Sequence, residues 1–373
     1  MIYFDNAATT YPKPESVIEA VNDAVSGVYG NPGRGGHAAA MAAAELVYGC
    51  RVKLAKAFGT DPSRVCFTGG CTAALNTAIL GRISPGERVI TSDLEHNSVM
   101  RPLRAAKAVT DTFSAASDDG RILGQIDEKI KKGAACVVCT CASNVLPVVL
   151  PYAKIGALCR KRGVTFIADG AQAAGFYDID VERDGIDVLC VPSHKGLYGI
   201  PGAGALIFSP RADVSRFKPL VSGGTGTDPL SVIMPETVPE RFEAGTLPLA
   251  AIASMSAGID HVNSVGTENI RRKVEAVKRA VLGWLSDDGR IKFYGRGPGS
   301  LLCFNVEGAG CERIARELDL HGICVRAGLH CSPSAHKYTA PDGTGAVRLS
   351  FSYSNTTDEA ERFCRIMTRF ILP

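Results

Sequence analysis

The feature that most constrains this chain is a sustained alternation between two kinds of segment. From about residue 60 to 210, short β-branched runs recur between longer helical patterns. Candidate strands fall at residues 65–68, 88–91, 135–140, 164–169, 188–192 and 205–208, with helical stretches at 72–80, 98–108 and 153–162 among them. The strands are apolar throughout rather than at every second residue, so both of their faces must be covered. Strands of that kind alternating with helices predict an α/β fold, a mostly parallel sheet between two helical layers. Amphipathic helices are expected upstream at 15–28 and 38–58. Past residue 250 the texture changes. A long helical stretch over 249–284 leads to strands at 301–306 and 347–351, a helix between them at 311–320, and a last helix at 358–371. The expectation is a large domain over 15–250 and a smaller α+β domain over 251–373. Residues 1–14 are expected to join the smaller one, although pattern alone does not place them.

Bulk properties narrow the function classes. A chain of 373 residues suits two domains, and 46% hydrophobic with 21% charged residues is an ordinary globular composition. The formal charge of +3 is spread along the chain, which argues against a nucleic-acid groove or an anionic membrane surface. No apolar run is long enough to span a bilayer. The opening MIYFDNAATT lacks the pattern of a signal peptide, so a cytoplasmic location is expected. Thirteen cysteines, an odd number scattered through core strands and helices, argue against a disulfide framework. Cys139 and Cys141 form a CxC without a second pair at finger-like spacing, and no metal is expected.

In an open parallel sheet, ligands gather at the carboxyl ends of the strands. Four strand ends here carry chemistry. Gly69-Gly70-Cys71-Thr72 precedes a helix, whose free N–H groups favour an anion such as phosphate; the turn could equally be a tight connection. Asp93-Leu94-Glu95-His96 ends on a histidine that could lie flat on an aromatic ligand or cap the next helix. Ala168-Asp169-Gly170-Ala171-Gln172 puts a carboxyl at the end of an apolar strand, where it must find a partner: a protonated ring nitrogen, or the N–H groups of a helix start. Ser193-His194-Lys195 closes another apolar strand with a lysine that could form a Schiff base. A phosphate turn, a stacking His, Asp-x-x-Gln and His-Lys on separate strand ends together describe a pyridoxal-phosphate site.

Those motifs, with Arg241-Phe242-Glu243-Ala244-Gly245-Thr246 and Arg326-Ala327-Gly328-Leu329-His330-Cys331, resemble the cysteine desulfurase and selenocysteine lyase family of the class V aminotransferase fold (fold type I). The likeness runs nearly end to end and is nearest the second group of cysteine desulfurases. It implies that Lys195 carries pyridoxal phosphate, Asp169 holds the pyridine nitrogen, Gln172 bonds the ring oxygen, and His96 stacks on the ring and serves catalysis. Thr72 and His194 would hold the phosphate, with Thr246 reaching across from a second copy of the chain; Cys71 and Ser193 are counted among the cofactor contacts. Asn144 would sit beside both the cofactor ring and the substrate, Ala8 would border the substrate, and Arg348 would grip its carboxylate as a charge-assisted fork. Cys331 would be the nucleophile, a loop thiol with His330 and Arg326 as nearby cations. The sequence departs from the family in Cys71, where Thr or Ser is frequent, in Pro192, where a hydroxyl residue is usual, and in Leu329, where His is common.

The activity so implied is transfer of sulfur from L-cysteine to Cys331 as a persulfide, with release of L-alanine, by a homodimer that hands sulfur to an acceptor protein. Two rivals use the same site: a selenocysteine lyase, and a C–S β-lyase acting on cystine or a thioether, whose products are pyruvate and ammonia. A transaminase or epimerase gives Cys331 no role. A non-catalytic scaffold has no use for Arg348. A nucleotide-binding protein is disfavoured because no Walker pattern is present and no clear helix follows Gly224-Thr225-Gly226.

Overall fold

The computed structural model describes residues 1–33, 35–340 and 343–372. The chain opens with β1 (Ile2–Tyr3) and the helices α1 (Glu15–Ser26) and α2 (Ala38–Phe58). There follow β2 (Val65–Thr68), α3 (Cys71–Arg82), β3 (Arg88–Ser92), α4 (Asn97–Ala105), β4 (Val109–Phe113), α5 (Asp119–Lys131), β5 (Cys136–Thr140), α6 (Tyr152–Arg162), β6 (Thr165–Asp169), β7 (Val188–Pro192) and β8 (Gly204–Phe208). Strands β2 to β8 form one seven-stranded sheet in the order β2-β8-β7-β6-β5-β3-β4. It is parallel except at β8, which runs antiparallel to both β2 and β7. Every residue of β5, β6, β7 and β8 is buried, as strands covered on both faces require. The expected mostly parallel sheet is therefore present, and the six expected strands are in it with ends shifted by at most one residue.

The long helical stretch is two helices, α7 (Leu249–Val265) and α8 (Thr267–Leu285). They break at Gly266, whose φ of +83° ends one helix and turns the chain into the next. Beyond them come β9 (Ile291–Phe293), β10 (Leu301–Val306), α9 (Cys311–Leu320), β11 (Ile323–Cys324), β12 (Arg326–Gly328), β13 (Ala346–Ser350) and α10 (Thr357–Ile366). Helix α10 starts at a capping box in which Thr356 and Glu359 each satisfy the other's backbone N–H. Four strands make an antiparallel sheet in the order β12-β13-β10-β9, with its own core of Val274, Val277, Phe304, Leu349 and Phe363. The N-terminal strand belongs with this half: β1 lies parallel to β11, and Ile2 and Phe4 are buried in the same core. No helix among the described residues is long and apolar enough to cross a membrane.

Candidate active site

Five strand ends of the large sheet converge on one cavity of about 230 Å³, small even for a ligand pocket. Its lining includes Gly69, Gly70, Cys71 and Thr72 after β2, His96 after β3, Asn144 after β5, Asp169 and Gln172 at β6, and His194 and Lys195 after β7. Helix α3 starts at Gly70 without a side-chain cap, which leaves its first-turn N–H groups to an anion. A second helix start lies alongside. His96 Nδ1 accepts from the Ser98 N–H at 3.0 Å, opening α4, and the Ser98 hydroxyl meets that of Thr72 at 2.9 Å. His96 thus caps a helix and faces the cavity at once, and burial lowers its pKa, which favours the uncharged ring.

Asp169 is 3% exposed, and its Oδ1 accepts from the Ala171 N–H at 2.9 Å. Burial pushes the Lys195 ammonium down, and the charges of Arg348 and Arg326 push the same way against Asp169. The result is an amine predisposed to lose its proton. His194 is driven to about 4 by burial and by the charges of Lys195 and Lys13, and its Nδ1 is buried with no hydrogen-bond partner among the described residues. The Gln172 amide donates to the Ala7 carbonyl at 3.0 Å, which brings the N-terminal segment to the site.

Several expected roles are changed by the geometry. Cys71 lines the cavity, but its Sγ lies 3.5 Å from Asp169 Oδ1 and 3.4 Å from the Cys190 carbonyl. It supports the carboxyl rather than the phosphate turn, and burial raises its pKa well above the ordinary thiol value, so it stays a thiol. Ser193 is not in the lining; it is wholly buried, and its hydroxyl abuts Gly199, where an added Cβ would come within 2.0 Å of it. Thr246, expected to act on a second copy of the chain rather than within its own, is exposed and lies outside this chain's lining, its hydroxyl 3.3 Å from the Asn31 amide, a placement that leaves the expected role unchanged. Ala8 is likewise outside it, its N–H given to Asp5. Arg348 is not an open fork: Nη2 pairs with Asp5 at 2.6 Å and Nη1 donates to the Asn144 carbonyl at 2.9 Å. A guanidinium 2% exposed needs a counter-charge, and Asp5 supplies it. Its Nε is buried without a partner among the described residues. Arg326, by contrast, is in no ion pair among the described residues, and its charge is felt at Lys195 and His96.

Cys331 is the one exposed cysteine of the thirteen, on the loop between β12 and β13. Its carbonyl accepts from the Asn97 N–H at 2.8 Å, one residue from His96. Asn144 binds the loop on both sides of it, donating to the His330 carbonyl and accepting from the Ser332 hydroxyl, both at 2.7 Å. His330 does not supply the expected positive charge. It is buried, its Nδ1 lies 3.1 Å from His336 Nε2, and burial with the nearby Arg348 charge lowers it to about 3.

Glu95 and Thr140 were not singled out from the sequence. Glu95 is fully buried beside the site, accepts from the Thr140 N–H at 3.1 Å and bonds the Ser92 hydroxyl, and is pushed up to about 8 by burial. Its place next to His96 in the strand-end motif was the available signal.

The cavity passes the test for pyridoxal phosphate on its own contents. An uncapped helix start and an unpartnered buried His194 suit a phosphate; a neutral imidazole suits a ring face, a buried carboxyl a protonated ring nitrogen, and a desolvated lysine an aldehyde.

The class-V aminotransferase family model matches residues 2–363. A protein of Methanothermobacter thermautotrophicus named as a probable cysteine desulfurase is 31% identical over 371 residues, covering 96% of this chain and 92% of that protein. Another so named, from Pyrococcus abyssi, is 31% identical and covers 100% of this chain and 94% of its own. The apo structure of a cysteine desulfurase from Thermococcus onnurineus NA1 superposes with a TM-score of 0.91 at 29% identity, covering 100% of this chain and 94% of that one. The cysteine desulfurase CsdA of Escherichia coli, at 23% identity with a TM-score of 0.88 over 99% and 94% of the two chains, shares the fold. This chain belongs to the class-V aminotransferase family of pyridoxal-phosphate-dependent enzymes.

Proposed function

We propose that this protein is a cysteine desulfurase: it moves sulfur from L-cysteine to Cys331 and releases L-alanine. The observation that carries the reading is the placement of the single exposed thiol on a loop bonded to cavity residues through Asn144 and to the turn after His96 through Asn97. Residues 15–250 would form the cofactor domain, and residues 251–373 with 1–14 the domain that carries the nucleophile.

Bound pyridoxal phosphate supplies an electron sink for negative charge at the substrate α-carbon. Lys195, its pKa lowered by burial, takes and returns the proton at that carbon. Asp169 and Gln172 would hold the cofactor's polar edge, His96 would cover its face, and Thr72, His194 and the start of α3 would take the phosphate. Arg326 and Arg348 supply positive charge toward the substrate carboxylate, with Asp5 already sharing Arg348. The Cys331 thiolate attacks the substrate sulfur. A sulfur–sulfur bond forms as the carbon–sulfur bond breaks, the departing electron pair stays with the β-carbon, and a proton there completes alanine. The reading carries with it a homodimer in which the partner's Thr246 completes the phosphate site, a cytoplasmic setting, and an acceptor protein that meets the exposed Cys331.

Incubation with L-cysteine, L-selenocysteine and cystine, followed by assay of alanine and pyruvate, tests it. Alanine in step with one persulfide on Cys331 is expected. Pyruvate and ammonia instead would make the protein a C–S β-lyase. Lys195→Ala should lose the visible cofactor absorbance, while Cys331→Ser should keep it and form no persulfide from cysteine.

A further inference from the structure

The loop that carries Cys331 has an improbable backbone. His330 and Cys331 are consecutive non-glycine residues in the left-handed region, at φ +52° and +57°. That region is disfavoured for any residue with a Cβ, so the conformation persists only where its surroundings over-determine it. Asn144 and Asn97 hold the near side, as described above. The far side is held from a different place. The loop continues into a short 3-10 turn (Pro333–Tyr338). At its end Lys337 Nζ lies 2.6 Å, and the Tyr338 hydroxyl 2.5 Å, from one oxygen of Asp93. The other oxygen of Asp93 accepts from the Ala115 N–H at 3.0 Å, and the Tyr338 hydroxyl also meets that of Ser114 at 3.0 Å. The Asp93 side chain is 3% exposed, whereas that of Lys337 is 51% exposed. A buried carboxyl of this kind is costly unless fully bonded, and here every bond it makes at Oδ2 goes to the segment after Cys331.

Asp93 directly follows β3 and stands three residues before His96. One strand end therefore faces the cavity and also grips the nucleophile loop, tying two elements more than two hundred residues apart in sequence. We propose that Asp93, with Lys337 and Tyr338, is a positioning clamp for Cys331, holding its sulfur at the attacking distance from a substrate bound beside His96. The inference rests on the desulfurase reading, since only a thiol that attacks substrate needs to be held so closely.

The test uses the cofactor-loaded full chain. Lys337→Met and Tyr338→Phe alter the clamp from the loop side, the first exposed and the second half-buried, and leave the buried carboxyl in place; Asp93→Asn removes its charge. For each, kcat and KM for alanine release from L-cysteine are measured alongside the visible absorbance and the rate at which iodoacetamide alkylates Cys331. A loosened nucleophile should lower kcat at least ~10-fold, because a misplacement of about an ångström is enough for that. KM and absorbance should stay within about twofold of the parent, and alkylation should change rate; a merely structural role would move kcat, KM and absorbance together. In the double variant Lys337→Met with Asp93→Asn, kcat should fall no further than in Asp93→Asn alone. Should Asp93→Asn fail to fold, Lys337→Met and Tyr338→Phe decide the matter. The clamp is overturned if both keep kcat within about twofold, or if kcat falls only together with KM and absorbance. Cys331→Ser, run in parallel, separates the two readings. If it is inactive while Lys337→Met is unaffected, only the clamp fails; if it releases alanine at the parent rate, the desulfurase reading fails and the clamp with it.

Discussion

Single residues at this site answer two demands at once. His96 and Asp169 each read from sequence as either a helix cap or a cofactor contact. The geometry makes His96 both a cap and part of the cavity wall, whereas no helix directly follows Asp169 among the described residues; its Oδ1 accepts from the Ala171 N–H in the turn after β6 while its side chain lines the cavity. The two roles coincide at His96 because the carboxyl end of a strand, the start of the next helix and the ligand crevice are one place in this architecture. Charge is less legible. His330 looks like a cation beside the thiol, yet burial holds it neutral, whereas Arg326 is in no ion pair among the described residues and its charge is felt at Lys195. Arg326→Gln should therefore raise KM for cysteine by roughly thirtyfold, the equivalent of about 2 kcal/mol for a lost charge-assisted contact, with cofactor absorbance retained. Steady-state kinetics over a range of cysteine concentrations would check it. An unchanged KM would move carboxylate recognition to Arg348, with Asp5 displaced by substrate.

At the scale of elements, the pattern of apolar runs located the interior strands to within a residue but passed over β4 and α5. Strand β4 reads VTDTF, is largely exposed, and pairs only with β3 at the sheet edge, so it lacks the continuous apolar signal of a strand buried on both faces. Helix α5 is short of buried positions, with Ile122 and Ile126 the fully buried ones. Helix α7 carries a constraint that hydrophobicity does not reveal. Gly258 sits mid-helix where alanine would ordinarily be preferred, but a Cβ there would lie 1.9 Å from the Leu197 carbonyl oxygen. The helix can pack on the Lys195 loop only through a residue without a side chain. Gly258→Ala should cost about 3 kcal/mol through this overpacking and should weaken cofactor retention as the Lys195 loop is displaced. Urea denaturation and the visible absorbance after gel filtration would report the two effects.

For the whole molecule, buried titratable groups set a pH dependence of stability. His330 and His194 have folded pKa values of about 3 and about 4, below the ordinary 6.5 of an unfolded histidine. Their contribution is present above pH 6.5 and is lost as pH falls, because the unfolded chain then binds protons that the folded one excludes. Glu95 acts in the opposite sense: its folded value of about 8 exceeds the ordinary 4.5, so its contribution is full below 4.5 and is lost as pH rises through 8. Between pH 4.5 and 6.5 two histidines outweigh one carboxyl, and between 6.5 and 8 the carboxyl acts alone. The cofactor-free protein should thus be most stable near pH 6.5, losing roughly 1.4 kcal/mol per pH unit on either side from these groups. Urea midpoints at pH 5, 6.5 and 8 would test this, and Glu95→Gln should flatten the alkaline limb.

The sequence by itself determined the parallel sheet, the order of its chemistry-bearing strand ends and the class of cofactor they suit. Each of those is written in short contiguous runs: an apolar strand, then a turn, and after β2 and β3 a helix start. Only the tertiary structure decided which charges are neutralised and which remain available. Asp5 meets Arg348 across 343 residues, and Asp93 meets Lys337 across 244. The same holds for Cys71, turned toward Asp169, and for Ser193, turned away from the cavity. The reason is physical: a side chain's partner and its charge state depend on which distant segments arrive beside it and on how much water they exclude, and neither is encoded in the residues on either side.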